Sequence, residues 1–395
     1  MKYSILIVAI ECHYTHVSRF IRHLKEENPE AVIDLLTNYD KSKIEPGVLA
    51  CVERVIKCPL PSGDNALNKL LKVFKIRKPI KELSKTAKYD VINIHFPHYY
   101  MAGTLRYFRK MSDAIVVSPW GSDILRVNGI RQKMLFGGVL KKCDVITATV
   151  EGNIGQTILS ILPNAKSKFC PQVWGSETID FINEHFSEYN TDSAKRHFDI
   201  LGRYVITCGY NAFRAQNHMK IIDSIVEIRN SLPQNLLLLF PVSYGSDNKE
   251  HYVRVLKERC KQENLDALFI EDYLSVQNVC ILRMATDMFV HVQNTDASCA
   301  SLQEYVLCNK KIVHGGWISY PMLEAFPPLC YHVTPDFSSL GKTIIETYHS
   351  EPIAFSQDVL NYIRSGGWIE ASKGWNAMFE KIAQGNRNTA EVFVP

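Results

Sequence analysis

Long hydrophobic runs are missing from this sequence. No window approaches the roughly 18 apolar residues that a membrane-spanning helix needs. The N-terminal run YSILIVAI, residues 3–10, is short, and Glu11 and His13 follow it at once, unlike the cleavage region of a secretory signal. We therefore expect a buried strand there. We also expect a cytoplasmic protein, which can still lie peripherally on the inner face of the membrane.

The sequence also lacks a strong charge imbalance and any cysteine motif. A net charge of +4 over 395 residues argues against a dedicated nucleic-acid-binding protein. The 11 cysteines are scattered, with no Cys-x-x-Cys pair and no tight cysteine–histidine cluster. That pattern is typical of buried thiols in a reducing compartment rather than of disulfides or zinc sites. We expect no nucleic-acid partner.

Several catalytic signatures are absent as well. No Gly-x-Gly-x-x-Gly, Gly-x-Ser-x-Gly or His-Glu-x-x-His motif occurs, and LGKT at 340–343 has Asp336 where a P-loop needs glycine. No Asp-x-Asp pair is present to hold Mg²⁺ under a nucleoside diphosphate. If the protein binds a diphosphate, we expect amides, helix dipoles and basic side chains to hold it, with no metal or other cofactor.

Short apolar runs alternate with helical patterns along most of the chain. This rhythm predicts α/β architecture with two Rossmann-like, doubly wound domains and ligands in the cleft between them. We expect an N-terminal domain over residues 1–175, a second domain over 176–360, and a helical segment over 361–395 that packs back on the first. The strands are predicted at residues 3–10, 31–36, 52–57, 90–94, 114–117, 144–147, 168–169, 204–208, 236–242, 267–270, 288–292, 311–314 and 329–332.

One stretch, residues 286–317, combines a buried strand, a polar loop and a helix that starts near Ala300. Asp296 lies in the loop and Glu304 in the helix. A helix N-terminus presents free amides and partial positive charge, which suits a phosphate near Ala300 and Ser301. Carboxylates beside it can hold hydroxyl groups of the attached group. A loop aspartate and a surface glutamate on an ordinary βαβ connection are the alternative.

Other polar residues follow predicted strands. CGYNAFRAQNHMK supplies Arg214, His218 and Lys220, which suit an anion but are equally compatible with a solvated turn. Further candidates are tryptophan, aspartate and histidine residues of the first half, for which packing or helix capping is the alternative. They are Trp120 and Asp123 in SPWGSDILR, His95 and His98 in INIHFPHYY, and His16 in the first loop.

Residues 69–88 contain eight lysines and arginines interleaved with apolar residues. The pattern predicts an amphipathic helix, broken at Pro79, that lies on anionic lipid headgroups. A solvated helix face is the alternative.

The two-halved layout, the PQVWGS junction and the Asp296/Glu304 spacing together resemble the GT-B glycosyltransferases, specifically the retaining enzymes of family 4. That family carries a Glu, seven residues, then a Glu. The resemblance implies that Asp296 contacts the donor sugar and that Glu304 binds the ribose of a nucleotide. Tyr210 and His218 stand where the family has Arg and Lys, and Trp120 stands where it often has His.

The segment FPVSYGSDNKEHYVRVL also resembles inverting GT-B enzymes that add N-acetylfucosamine-type sugars to lipid-linked carriers. The resemblance implies hexosyl transfer from a nucleotide sugar to a glycan or lipid-linked acceptor, in cell-surface polysaccharide or glycoconjugate synthesis. Asp296, Arg214 and His218 would be catalytic. Glu304, Tyr273, Leu274, Ala300, Ser301 and Lys220 would bind the nucleotide, and Trp120, Asp123, His95, His98 and His16 the acceptor or sugar. A nucleotide-sugar epimerase and a non-catalytic glycan- or partner-binding subunit are the alternatives.

Overall fold

The chain divides into two compact units in the computed structural model. The first unit contains residues 1–175 and 368–395, and the second contains residues 176–367. The structure describes residues 2–10, 14–61, 63, 66–125, 127, 129–245, 248–296, 299–318, 320, 331–351 and 353–386. Part of the predicted first loop (residues 11–13) and the first two residues of the predicted strand 329–332 lie outside those ranges.

The first unit is built on a six-stranded parallel sheet with strand order β3-β2-β1-β4-β5-β6. Its central strands are continuous apolar runs, as expected for strands covered on both faces. The strands are β1 (Ser4–Ala9), β2 (Val32–Thr37), β3 (Arg54–Lys57), β4 (Val91–His95), β5 (Ile115–Ser118) and β6 (Val145–Ile146).

Helices cover both faces of this sheet. They are α1 (Tyr14–Glu27), α2 (Pro46–Cys51), α3 (Ala66–Lys75), α4 (Arg77–Leu83), α5 (Leu105–Met111), α6 (Ser122–Leu125), α7 (Ile130–Lys142) and α8 (Asn153–Ile161). Alternate residues of β1 enter opposite cores: Leu6 and Val8 pack on one face, and Ile5 and Ile7 on the other. This alternation is the period-two pattern of a strand buried on both sides.

The second unit repeats the architecture with strand order β12-β11-β10-β7-β8-β9, again all parallel. Its strands are β7 (Tyr204–Cys208), β8 (Leu236–Pro241), β9 (Ala267–Ile270), β10 (Met288–His291), β11 (Lys311–Gly315) and β12 (Tyr331–Val333). Its described helices are α9 (Glu177–His185), α10 (Thr191–His197), α11 (His218–Ile228), α12 (Lys249–Gln262), α13 (Val276–Ala285), α14 (Ala300–Leu307), α15 (Leu340–His349) and α16 (Gln357–Arg364). Two Rossmann-like units are therefore confirmed.

The last described helix, α17 (Trp368–Ala383), belongs to the first unit and packs on α1. The Trp375 indole N–H donates to the Val173 carbonyl at 2.8 Å, and the Tyr3 hydroxyl donates to Asn376 Oδ1 at 2.6 Å. The division between the units falls at 367/368 rather than at the predicted 360/361. The physical reason is that α16 packs on α9 and α14 of the second unit.

Two local predictions are wrong. Residues 168–169 do not form a regular strand, because a 3-10 helix over Pro163–Lys168 leaves only a single bridge from Phe169 to Ile146. The basic segment breaks at Ile76, between α3 and α4, and not at Pro79. Pro79 lies in the first turn of α4, where a backbone N–H has no partner within the helix, so its missing N–H costs little.

Candidate functional site

The β10–α14 connection lies at the C-terminal edge of the second sheet, where ligands bind in doubly wound folds. Asp296 lies in this connection, and Glu304 lies in α14 itself. The first turn of α14 begins after Cys299, whose sulfur accepts from the Leu302 N–H at 3.3 Å. Ala300 is exposed, and Ser301 is buried beneath it.

Glu304 is buried and forms an ion pair with Arg283 of α13. The Arg283 Nε donates to Glu304 Oε2 at 3.0 Å, and the same guanidinium donates to the hydroxyls of Ser301 and Tyr305, each at 3.0 Å. Ser176 donates to Glu304 Oε1 at 3.3 Å. A carboxylate oxygen has two lone pairs, so Oε1 can accept one further hydroxyl. In the structure Glu304 neutralises a buried guanidinium.

Asp296 is different because its side chain remains 13% exposed. Its Oδ2 accepts from the Tyr320 hydroxyl at 3.1 Å and from the Tyr210 hydroxyl at 3.4 Å. Tyr320 also lies 2.8 Å from Nε2 of His291, and Tyr210 donates to Gln293 at 3.2 Å. Two tyrosines, each anchored a second time, therefore hold a partly solvated carboxylate in place.

Three residues of this network could ligate a metal ion. His291, Asp296 and Cys299 each offer a ligand atom, and these atoms lie within 4.8 Å of one another. All three side chains already have hydrogen-bond partners. His291 Nε2 pairs with Tyr320, Asp296 Oδ2 accepts from Tyr320 and Cys299 accepts from Leu302. Burial lowers the pKa of His291 to about 3, so its imidazole is neutral at physiological pH.

The three basic residues that follow β7 lie in different environments. Arg214 is exposed and lies over the Tyr252 ring, 4.9 Å from the centroid, and Lys220 is exposed over the Phe337 ring, also at 4.9 Å. His218 is fully buried, and its Nδ1 lies 3.1 Å from the Tyr252 hydroxyl. Burial lowers the pKa of His218 to about 4. It therefore cannot supply a cationic charge near neutral pH, whereas Arg214 and Lys220 can.

Tyr273, one of the residues predicted to contact the base, is 75% exposed. Its ring stacks on Tyr244, with centroids 6.1 Å apart and planes within 10°. Leu274 is half-buried and packs against the hydrophobic core instead. The stacked tyrosines offer a flat aromatic face, whereas Leu274 serves mainly the core.

In the first unit, Asp123 is a buried carboxyl group that caps its own loop. Its Oδ1 accepts from the backbone N–H of Trp120 at 3.1 Å and of Gly121 at 2.8 Å. Burial raises the pKa of Asp123 to about 7, although the backbone hydrogen bonds to its carboxylate act in the opposite direction and lower the pKa. Asp123 lies within α6 and both donors precede the helix, so its side chain closes the turn before α6 and is not the N-cap. The side chain of Trp120 is half-buried.

The three histidines of the first unit differ in environment. His95 is fully buried with its Nε2 2.9 Å from Asn93 Nδ2, and burial lowers its pKa to about 3. His98 is half-buried and stacks on Tyr100 at 4.6 Å. His16 is exposed and lies edge-on to Trp120 at 5.5 Å. Of the three, His16 is the most accessible to a ligand.

Sequence reasoning missed several residues of these networks. Arg283 and Tyr320 complete the hydrogen-bond networks of Glu304 and Asp296. The only sequence signal for Arg283 is a lone cation in the apolar stretch VCILRMA. Four of the five tryptophans join one aromatic cluster in the first unit. They are Trp120, Trp174, Trp368 and Trp375, with ring centroids 5.1 to 6.2 Å apart.

Comparisons with known proteins give one sequence match and many structural ones. Residues 5–150 match the family model described as Glycosyl transferase 4-like. No curated protein matches the chain. HepE from Anabaena, solved with UDP and glucose, is 13% identical with a TM-score of 0.59, covering 98% of this chain and 99% of that one.

Two further solved structures cover both units. A UDP-forming α,α-trehalose-phosphate synthase from Burkholderia xenovorans has a TM-score of 0.70 at 12% identity, covering 97% of this chain and 100% of that one. A glycosyltransferase from Rickettsia africae has a TM-score of 0.65 at 11% identity, with coverage of 98% and 100%. At such identities the structural likeness establishes the fold, and the family match supplies the sequence link. Together they show that the chain has the two-domain GT-B fold and that residues 5–150 are similar to the glycosyl transferase 4-like family.

Proposed function

We propose that the protein transfers a hexosyl group from a UDP-sugar to a hydroxyl of a glycan or lipid-linked acceptor, in polysaccharide or glycoconjugate synthesis. The observation that carries the proposal is the pair of carboxylates that follow β10. Asp296 is partly exposed in the loop, and Glu304 is buried in α14. UDP is chosen because HepE was solved with UDP and the trehalose-phosphate synthase is UDP-forming.

The second unit holds the donor in this proposal. Glu304 Oε1 accepts a ribose hydroxyl, and the exposed Tyr273–Tyr244 pair stacks on the base. The diphosphate lies over the start of α14 at Ala300, because the first N–H groups of a helix have no partners within it and favour an anion. Arg214 and Lys220 stabilise the negative charge on the departing diphosphate, and no metal is needed for that step.

Asp296 holds hydroxyls of the donor sugar beside the breaking bond. We propose a retaining course, in which the acceptor oxygen attacks from the face that the diphosphate leaves. The bond from the anomeric carbon to the diphosphate oxygen breaks, the bond to the acceptor oxygen forms, and a phosphate oxygen takes the acceptor proton. The first unit binds the acceptor, with Trp120 and the exposed His16 as its contact residues.

The first prediction concerns the donor. Calorimetry is expected to show UDP binding more tightly than ADP or GDP, because the neighbours with stated nucleotides use UDP. UDP release from a UDP-sugar should then require an acceptor. Conversion of the donor without acceptor would indicate an epimerase instead. Absence of nucleotide binding would leave only the glycan- or partner-binding role, and the anomeric configuration of the product would decide between retention and inversion.

We further propose that residues 69–88 place the protein on the anionic inner face of a membrane. Lys75, Lys78 and Lys81 are exposed, but Lys72 is only 4% exposed and does not belong to that surface. None of the described helices is long and apolar enough to cross a bilayer. The association would be electrostatic and peripheral.

The second prediction follows from these charges. Changing Lys75, Lys78 and Lys81 to Glu is expected to lower binding to anionic vesicles at least 100-fold, since each basic residue contributes about 1 kcal/mol near such a surface. Vesicle sedimentation measures the change. Glu substitutions at Lys257, Lys261 and Lys342, exposed lysines of the second unit, are the matched control. An equal loss of vesicle binding in both variants would show that the binding depends only on the net charge of the protein.

A further inference from the structure

Helix α7 carries a group of apolar side chains that nothing in the described structure covers. Ile130 is 81% exposed, Met134 is 73% exposed and Leu135 is 45% exposed. Ile130 and Met134 have larger exposed fractions than any other large aliphatic side chain in the described residues. Ile130 and Met134 are one helical turn apart, so they lie on the same face. Exposed apolar groups in such a cluster mark an interaction site.

The opposite face of α7 is ordinary core. Phe136, Val139 and Leu140 are fully buried against the first sheet. The helix therefore has its own buried stripe, and its exposed apolar residues are an addition to it rather than a packing error. A helix with apolar residues on both faces has a second surface to occupy.

The sequence segment that contains α7 carries charged residues of one sign only. Between Asp123 and Asp144 the sequence contains five lysines and arginines and no acidic residue: Arg126, Arg131, Lys133, Lys141 and Lys142. Four of these belong to α7 itself, and all four are exposed. Exposed apolar side chains on a helix whose own charged residues are all cations are typical of helices that lie in an anionic lipid interface.

The basic segment lies next to this surface. Helices α3 and α7 both pack on the 3-10 helix Tyr99–Gly103. A Cβ on Gly138 of α7 would lie 3.9 Å from Ala102, and a Cβ on Gly103 would clash with the Arg77 guanidinium of α4. Phe74 of α3 is also 58% exposed. Helices α3 and α7, each with exposed apolar and cationic side chains, thus both contact the 3-10 helix Tyr99–Gly103.

We propose that the first turns of α7 insert Ile130, Met134 and Leu135 into the headgroup–acyl boundary of an anionic bilayer. Lys75 of α3, Lys78 and Lys81 of α4 and the exposed lysines of α7 contact the lipid phosphates. The proposal deepens the membrane part of the proposed function and rests on it. Electrostatic attraction alone is lost in high salt, whereas inserted apolar groups keep part of the binding. Two contributions, rather than one, would make the attachment stable.

The experiment measures partitioning of the full chain onto vesicles of phosphatidylcholine with 30% phosphatidylglycerol, at 0.1 M and 0.5 M NaCl. Ile130→Ser, Met134→Ser and Leu135→Ser together are expected to lower partitioning at least 10-fold at both salt concentrations. Leu201→Ser with Ile369→Ser, which changes apolar residues that are 48% and 50% exposed elsewhere, is the matched control and should leave it unchanged.

Partitioning of the triple variant equal to that of the wild type would overturn the proposal. So would complete loss of wild-type binding at 0.5 M NaCl, because apolar insertion survives screening. A wild-type dimer that the triple variant converts to a monomer would identify a second copy of the chain as the occupant instead. UDP binding, measured on the same samples, tests the transferase proposal separately, since no donor contact lies on α7.

Discussion

Replacing Glu304 by Ala is expected to lower the free energy of unfolding of the second unit by about 3–5 kcal/mol, because it leaves a buried guanidinium without its counter-charge. Arg283 is only 6% exposed, and solvent cannot replace the lost carboxylate. Urea denaturation measures the change. Glu346→Ala, at an exposed position on α15, is the matched control and should stay within about 0.5 kcal/mol of the wild type.

The same substitution should also abolish UDP binding, so the two effects must be separated. Changing Arg283 and Glu304 together to Met removes both charges and keeps similar volumes. Replacing a buried ion pair by apolar residues is often neutral, so most of the lost stability is expected to return. UDP affinity should nevertheless remain at least 10-fold weaker, since a hydrogen bond to a charged group contributes about 1.5–3 kcal/mol.

The double variant decides what Glu304 does. If it is stable and binds UDP as the wild type does, the carboxylate is only the partner of Arg283. If it is stable and binds UDP weakly, the carboxylate contacts the ligand. Calorimetry on the double variant and on Glu304→Ala distinguishes these outcomes, and a stability check on each sample excludes unfolding as the cause.

The contrast between Glu304 and Arg283 shows how far the sequence alone can predict this site. The strand–loop–helix unit around Glu304 is local, and its apolar run and polar loop are visible in sequence. The partner of Glu304 comes from α13, about twenty residues earlier, and α13 meets α14 only through tertiary packing. A buried guanidinium cannot be told from an exposed one in VCILRMA, because sequence position does not report burial.

The first sheet gives the same lesson with aromatic residues. Its strands follow from continuous apolar runs such as SILIVA. The cluster that joins Trp120, Trp174 and Trp368 follows only once the C-terminal helix α17 returns to the first unit. Lys72 illustrates the reverse error: the sequence counts it among the basic residues of the predicted lipid-binding helix, but its side chain is buried.

Asp296→Ala is expected to lower kcat by 10²–10³-fold, the usual cost of removing one group placed to stabilise a transition state. KM for the donor should change by only a few fold, since the proposed nucleotide contacts lie at Glu304 and Arg214. The fold should survive, because the two tyrosines that lose this acceptor keep His291 and Gln293 as partners, at 2.8 and 3.2 Å.

Tyr320→Phe tests the hydrogen bond that positions Asp296 separately from the charge of Asp296 itself. It removes the nearer of the two hydroxyls on Asp296, at 3.1 Å, but leaves the charge and the Tyr210 contact in place. A decrease in kcat of about 10-fold is expected, because the removed hydrogen bond to a charged group contributes about 1.5 kcal/mol at the low end. Steady-state kinetics with a UDP-sugar measure both variants. If Asp296→Ala kept wild-type kcat while raising KM, Asp296 would bind the donor equally in the ground and transition states, and its proposed catalytic role would be wrong.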